Sequence, residues 1–222
     1  MPSARRPGLR PARRAEPDLP DELTAATPAP RANVWGARIE VGSGASAAPH
    51  AVWEECRVTM AEADTVDLLD LTGSTVRDVI IDRLHAVQVT ARSSRWREVE
   101  VGTARVGTLD LGAAEVAAVT FRSVRADYLN LAASQMSDVT FIDCVFGTID
   151  APAATLTRVT FEGCRCEELD TRDLRAEDLD LRGLDVASFT DLRGLRGATL
   201  SLPQAHAHAS AFASALGIRI AD

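Results

Sequence analysis

Read from Leu69 in steps of ten, the chain puts an apolar residue first in thirteen consecutive triplets. They run LDL, VII, VTA, VEV, LDL, VTF, LNL, VTF, IDA, VTF, LDT and LDL to FTD at Phe189. With 46% apolar residues, chance gives such a run on the order of a few times in 100,000. Offset by five, the same slot turns small at Ser74, Ser94, Ala104, Ala114, Ser134, Cys144, Ala154, Cys164 and Gly194. The unit is therefore five residues. A longer period lies over it, because VTF recurs at Val119, Val139 and Val159 with LDL at Leu109 and LNL at Leu129 between them.

Five steps of 100° around an α-helix end 140° from the starting face, so no helix keeps this pattern on one side. An isolated strand alternates with period two and does not keep it either. A chain that turns a square corner every five residues does, with two inward side chains per side and twenty residues per coil; stacked coils then share one core. The pentads Leu69-Asp70-Leu71, Leu109-Asp110-Leu111, Leu129-Asn130-Leu131, Leu179-Asp180-Leu181 and Ala198-Thr199-Leu200 resemble those of the pentapeptide-repeat family. The resemblance covers residues 52–202 and implies an all-β fold, a right-handed quadrilateral parallel β-helix. Departures are the frequent Leu or Val at the small position and Ala at the centre, as at 86, 91, 126, 151 and 176.

The rest of the chain reads around that rod. Residues 1–31, rich in Arg and Pro, have no apolar periodicity and are expected to be a disordered tail. Neither Arg5-Arg6 nor Arg13-Arg14 is followed by the apolar stretch of an export signal. Residues 32–51, with Trp35, Ile39 and Val41, are expected to close one end of the rod together with Trp53. The phase near 52–68 is offset, and an irregular corner at Asp67–Asp70 would reconcile it. From 203 to 222, Pro203, an apolar face of Ala205, Ala209, Phe212, Ala213 and Leu216, and then Gly217 predict a C-terminal capping helix. A homodimer through that helix is the alternative use of its face, as the resemblance implies.

Composition narrows the chemistry. All 24 basic residues are Arg, and the net charge is −8, so direct nucleic-acid binding is not expected. No apolar run reaches the roughly 18 residues of a membrane span. Cys56, Cys144, Cys164 and Cys166 lack metal spacing or a secretory context and read as reduced thiols in a cytoplasmic protein. His206 and His208 read as surface residues, and His50 and His85 have no partnered nucleophile, so neither a cofactor, a metal nor catalysis is expected. Thr120, Thr140, Thr160 and Thr190 read as an outward column.

The charge is uneven: residues 126–191 hold fourteen acids against five Arg, a net −9. Asp110, Asp127, Asp138, Asp150, Asp170, Asp173 and Asp178 are the candidate acidic binding face. At about 4.8 Å per coil the segment carries about one net charge per 1.8 Å, close to the roughly 1.7 Å of duplex DNA. The function expected is a non-catalytic scaffold that binds an unidentified protein partner through the rod's faces. The alternative, implied by the resemblance, is a DNA mimic that occupies DNA gyrase. Arg158 and Asp178, which stack in the twenty-residue register, argue against a pure phosphate mimic.

Overall fold

The computed structural model describes residues 8–60 and 65–221. It is an all-parallel β-solenoid of about 8 turns with a short C-terminal helix. The coil from Ala114 to Ala133 illustrates the central ones. Its first side buries Ala114 and Val116, its second Val119 and Phe121, its third Val124 and Ala126, its fourth Leu129 and Leu131. Three of the four corners need a residue in the left-handed region, here Ala118, Ser123 and Ala133 at φ 52–56°. The fourth corner, at Asp127-Tyr128, stays extended within the strand Val124–Asn130. In the two coils before this one the second corner also stays extended, within the strands Thr75–Thr90 and Arg95–Asp110. The central coils stack in a strict twenty-residue register, with Met136 over Val116 and under Leu156, and Phe141 over Phe121 and under Phe161.

The core is eight inward columns, and the sequence pattern names most of them. On the second side Phe121, Phe141 and Phe161 stack at 4.9 Å between ring centroids, within 10° of parallel. Phe146 meets Phe141 edge-on at 5.8 Å. Toward the N-terminal end the Phe column changes to Val101, and a void of about 20 Å³ opens beside Trp96 and Ala104. A hollow of that size holds a water at most and is no ligand site.

Three expectations are revised. Residues 32–51 are not a separate cap but the first coil, with Asn33–Trp35 and Ala37–Glu40 paired in register with Val52–Thr59. Ile39, Val41 and Trp53 are buried as expected, whereas Trp35 points outward. The irregular corner precedes Val66 rather than following it. Val52–Val58 stack on the next coil with an offset of 23 residues, while Val66–Asp70 already keep the offset of 20. The extra residues fall between Thr59 and Val66. The Ala61-Glu62-Ala63 pentad lies outside the described residues.

The disordered-tail reading of 1–31 also changes, because residues 8–31 lie on the rod. Residues 1–7, including Arg5-Arg6, are outside the described set. Thr24–Ala26 pair with Ala37–Ile39, and the segment before them runs along the rod.

At the other end the last coil shortens by one residue, with Leu179 stacked under Ala198, after a 3₁₀ turn at Leu192–Leu195 capped by Asp191. The predicted capping helix is two short pieces, α1 (Leu202–Ala207) and α2 (Ala209–Ala215), broken at His208. Ser201 and Gln204 form a capping box at its start. Ala205, Phe212 and Ala213 are half-buried, but Ala209 and Leu216 face outward. Gln204 Nε2 donates to the carbonyls of Leu181 and Leu184, each at 2.7 Å, and the His208 ring meets the Val186 carbonyl at 3.1 Å. His208 is thus not the surface residue expected. The Leu184 and Val186 carbonyls belong to the strand Leu184–Phe189, which pairs only with the coil before it and has no further coil to donate to them. Gln204→Ala should cost about 1–3 kcal/mol locally and speed amide exchange in residues 181–200. Unchanged exchange there would deny the cap its role.

Candidate functional site

The twenty-residue register places the predicted acids in columns, and they divide. On the fourth side, Asp110, Asn130, Asp150 and Asp170 stack on successive coils. They stand mid-side, between the inward pair. Asp127 and Asp173 sit at the two corners that flank this side. Asp138 and Asp178 do not join it: they occupy the corner between the first and second sides. The single candidate face is therefore two surfaces. The Thr column divides likewise, with Thr120, Thr140 and Thr160 on the second side and Thr190 on the fourth, where its hydroxyl donates to Glu168 at 2.9 Å.

The fourth-side ladder has a local reason to be Asp and Asn. Three of the four side chains fold back onto the backbone N–H two residues on: Asp110 accepts from Gly112, Asn130 from Ala132 and Asp170 from Arg172, all at 2.9 Å; Asp150 is followed there by Pro152, which has no N–H to give. These Asx turns shape the corner that follows. Between coils, Asn130 Nδ2 donates to Asp110 at 2.8 Å, so the neutral member separates two carboxylates. Arg92 contacts Asp110 at 3.2 Å, and Arg172 forks Asp170, whose carboxyl it holds below the ordinary carboxylate range.

Tyr128, the chain's only tyrosine, donates its hydroxyl to Asp150 at 2.5 Å. Burial, then that bond, push its pKa up to about 12. Alkaline absorbance titration should therefore show one phenol with a midpoint near 12, and Asp150→Asn should lower it only part of the way to the ordinary value of about 10, because burial remains. An ordinary midpoint in the wild type would mean the Tyr128–Asp150 bond is absent.

Beside this ladder the third side carries an arginine at its outward centre in three of five successive coils. Arg105, Arg125, Val145, Arg165 and Asp185 stack at its outward centre. The extended corner at Asp127-Tyr128 joins the two sides, so an acidic strip and an arginine strip run along the rod next to each other.

The second surface is already occupied. Arg10 donates to Asp178 at 2.7 Å and Glu177 at 2.5 Å, Arg13 pairs with Glu98, and Arg14 reaches both oxygens of Glu162 at 3.1 Å. The backbone N–H groups of Arg13, Ala15 and Glu16 donate to Asp138, the Thr120 hydroxyl and Glu98. Thr120 and Thr140 are 3% and 2% exposed although their slots face outward; Ala15 lies on the first of them. Below the arm Arg158 forks Asp138 with two 2.7 Å bonds, choosing it over Asp178. That fork holds the Asp138 carboxyl below its ordinary range, against the effect of burial, with the Arg13 N–H adding to it. The pair thus stabilises the fold above the ordinary carboxylate pKa, and the contribution is lost as pH falls through the depressed value.

All four cysteines are buried and unpaired. Cys144 and Cys164 stack on the third side, where the Cys144 N–H meets the Cys164 sulfur at 3.4 Å. The bond to Cys164 and then burial push the Cys144 thiol up, and burial raises Cys166 to about 11. They act as small core residues. Among the described residues no group of His, Cys, Asp and Glu is arranged to hold a metal ion, and no helix is long and apolar enough to cross a membrane. Compared with known proteins, the chain matches no protein-family model and no curated protein.

Proposed function

We propose that this solenoid is a pentapeptide-repeat protein that acts without catalysis, as a scaffold binding a protein partner through its fourth side. Support for the family reading is the way its pentads sit. In Leu109-Asp110-Leu111 and Leu129-Asn130-Leu131 the apolar residues face inward and the polar one between them makes the turn. The observation that carries the binding reading is the pairing of an acidic ladder with an arginine strip on adjacent flat sides. A DNA-binding saddle selects one sign of charge, whereas a protein surface carries both. Buried thiols suit a reducing compartment, which favours the cytoplasm. The contacts of Gln204 and His208 favour the cap over a homodimer through the C-terminal helix.

Mimicry of DNA toward gyrase is the second reading, and the net −9 of residues 126–191 is what favours it. Two facts weigh against it. The acids reach every side of the rod, and Arg158, Arg172 and Arg182 are each bound to one of them. A gyrase supercoiling assay separates the readings. The scaffold reading expects no inhibition at micromolar protein. Inhibition abolished both by salt and by the combined Asp150→Arg, Asp170→Arg and Asp178→Arg substitutions would put the mimic in its place.

A further inference from the structure

The arm of residues 9–16 crosses the strands at right angles, so it cannot extend the sheet; the rod holds it by side chains instead. From Arg10 at Asp178 to Glu16 at Glu98 it passes four coil steps, about 19 Å at ~4.8 Å each, near the full reach of six extended residues at ~3.3 Å. Three of its main-chain N–H groups are taken by Asp138, Thr120 and Glu98, contacts that any extended peptide offers. Its three arginines meet Asp178, Glu98 and Glu162, which adds a requirement for charge at set intervals. Leu9, Ala12 and Ala15, which alternate with these exposed arginines, are half-buried, as are Pro17 and Leu19 after them. The seat is thus built for both the backbone and the side chains of what lies in it. The ion pairs are exposed and salt-sensitive, so the arm is held by contacts that another arginine-bearing segment can replace.

We propose that the second side, with the corner of Glu98, Asp138 and Asp178, is a docking track for an extended arginine-rich peptide, and that residues 9–16 occupy it in cis as a displaceable strap. The track is distinct from the fourth side and does not depend on what binds there. A partner presenting arginines at the spacing of Arg10, Arg13 and Arg14 reaches it only by displacing the strap. The tether gives the strap an effective concentration in the millimolar range.

The test uses the full chain and a fluorescent synthetic peptide of residues 8–24. In the full-length variant combining Arg10→Glu, Arg13→Glu and Arg14→Glu the strap is released by like charge while the rod is untouched, which circular dichroism checks. At about 50 mM salt the peptide is expected to bind this variant at least about tenfold more tightly than the wild type, whose track is filled. Raising salt to about 500 mM should weaken binding to the variant by about tenfold or more. A scrambled peptide of the same composition should bind several-fold more weakly, because its arginines miss the acids. Equal binding to wild type and variant, absence of binding to the folded variant, or equal binding of the scrambled peptide would each overturn the proposal.

Discussion

Replacing Leu131 by arginine is expected to abolish the folded rod, while the same replacement one residue earlier, Asn130→Arg, leaves it standing. Leu131 is 1% exposed and points into the shared core; its neighbours there are apolar side chains of the same and adjacent coils. A guanidinium in that column has neither water nor a carboxylate, and a buried unpaired charge costs several kcal/mol, a large part of the stability of an ordinary domain. Asn130 faces outward. Arg at 130 loses the turn bond to the Ala132 N–H and the bond to Asp110, about 1 kcal/mol each, but stands between Asp110 and Asp150 and regains charge contacts. Circular dichroism and thermal melting of the two variants check this. A folded Leu131→Arg protein with a melting point near the wild type would contradict the inward assignment of the column.

Phe141→Ala should be the most damaging truncation along the second side. Phe141 stacks on Phe121 and Phe161, meets Phe146 edge-on, and lies in the middle of the rod. Removing it leaves a cavity bounded by rings fixed to parallel strands, which cannot close in without breaking register. The expected cost is about 3–5 kcal/mol, or roughly 10 °C in melting temperature for a chain of this size. Phe141→Leu, which refills most of the space, should lose less than half of that. In a solenoid each coil contacts only its neighbours, so the damage should also show as faster amide exchange in the coils on either side of 141. A fall of under about 2 °C would mean that the Phe stack is not a stabilising column.

The columns of the core were legible because a five-residue repeat is a direct statement of which side chains face inward. Asp110, Asn130, Asp150 and Asp170 fell in line for the same reason. What the repeat did not reveal follows from what it does not encode. It fixes steps of five, but the side to which a residue belongs depends on the step of twenty. Asp138 and Asp178 therefore looked like companions of Asp170 until the coils were closed. The arm was missed because a strap running across strands needs no periodicity; its pattern is a match between Arg10, Arg13 and Arg14 and acids from 85 to 168 positions away. The one signal was a positive segment, 1–31, in a chain whose later part is strongly negative. His208 was taken for a surface residue because a helix pattern cannot show that an open coil end offers it a carbonyl.

Binding of a protein partner to the fourth side can be read by photocrosslinking in living cells. A photoreactive amino acid is placed in turn at Asp127 and Thr148, on the fourth-side strip, and at Arg95 and Gln135, on the outward centre of the first side. One discrete protein adduct is expected from positions 127 and 148 and none from 95 and 135. Adducts from all four positions alike, or from none, would contradict binding at the fourth side.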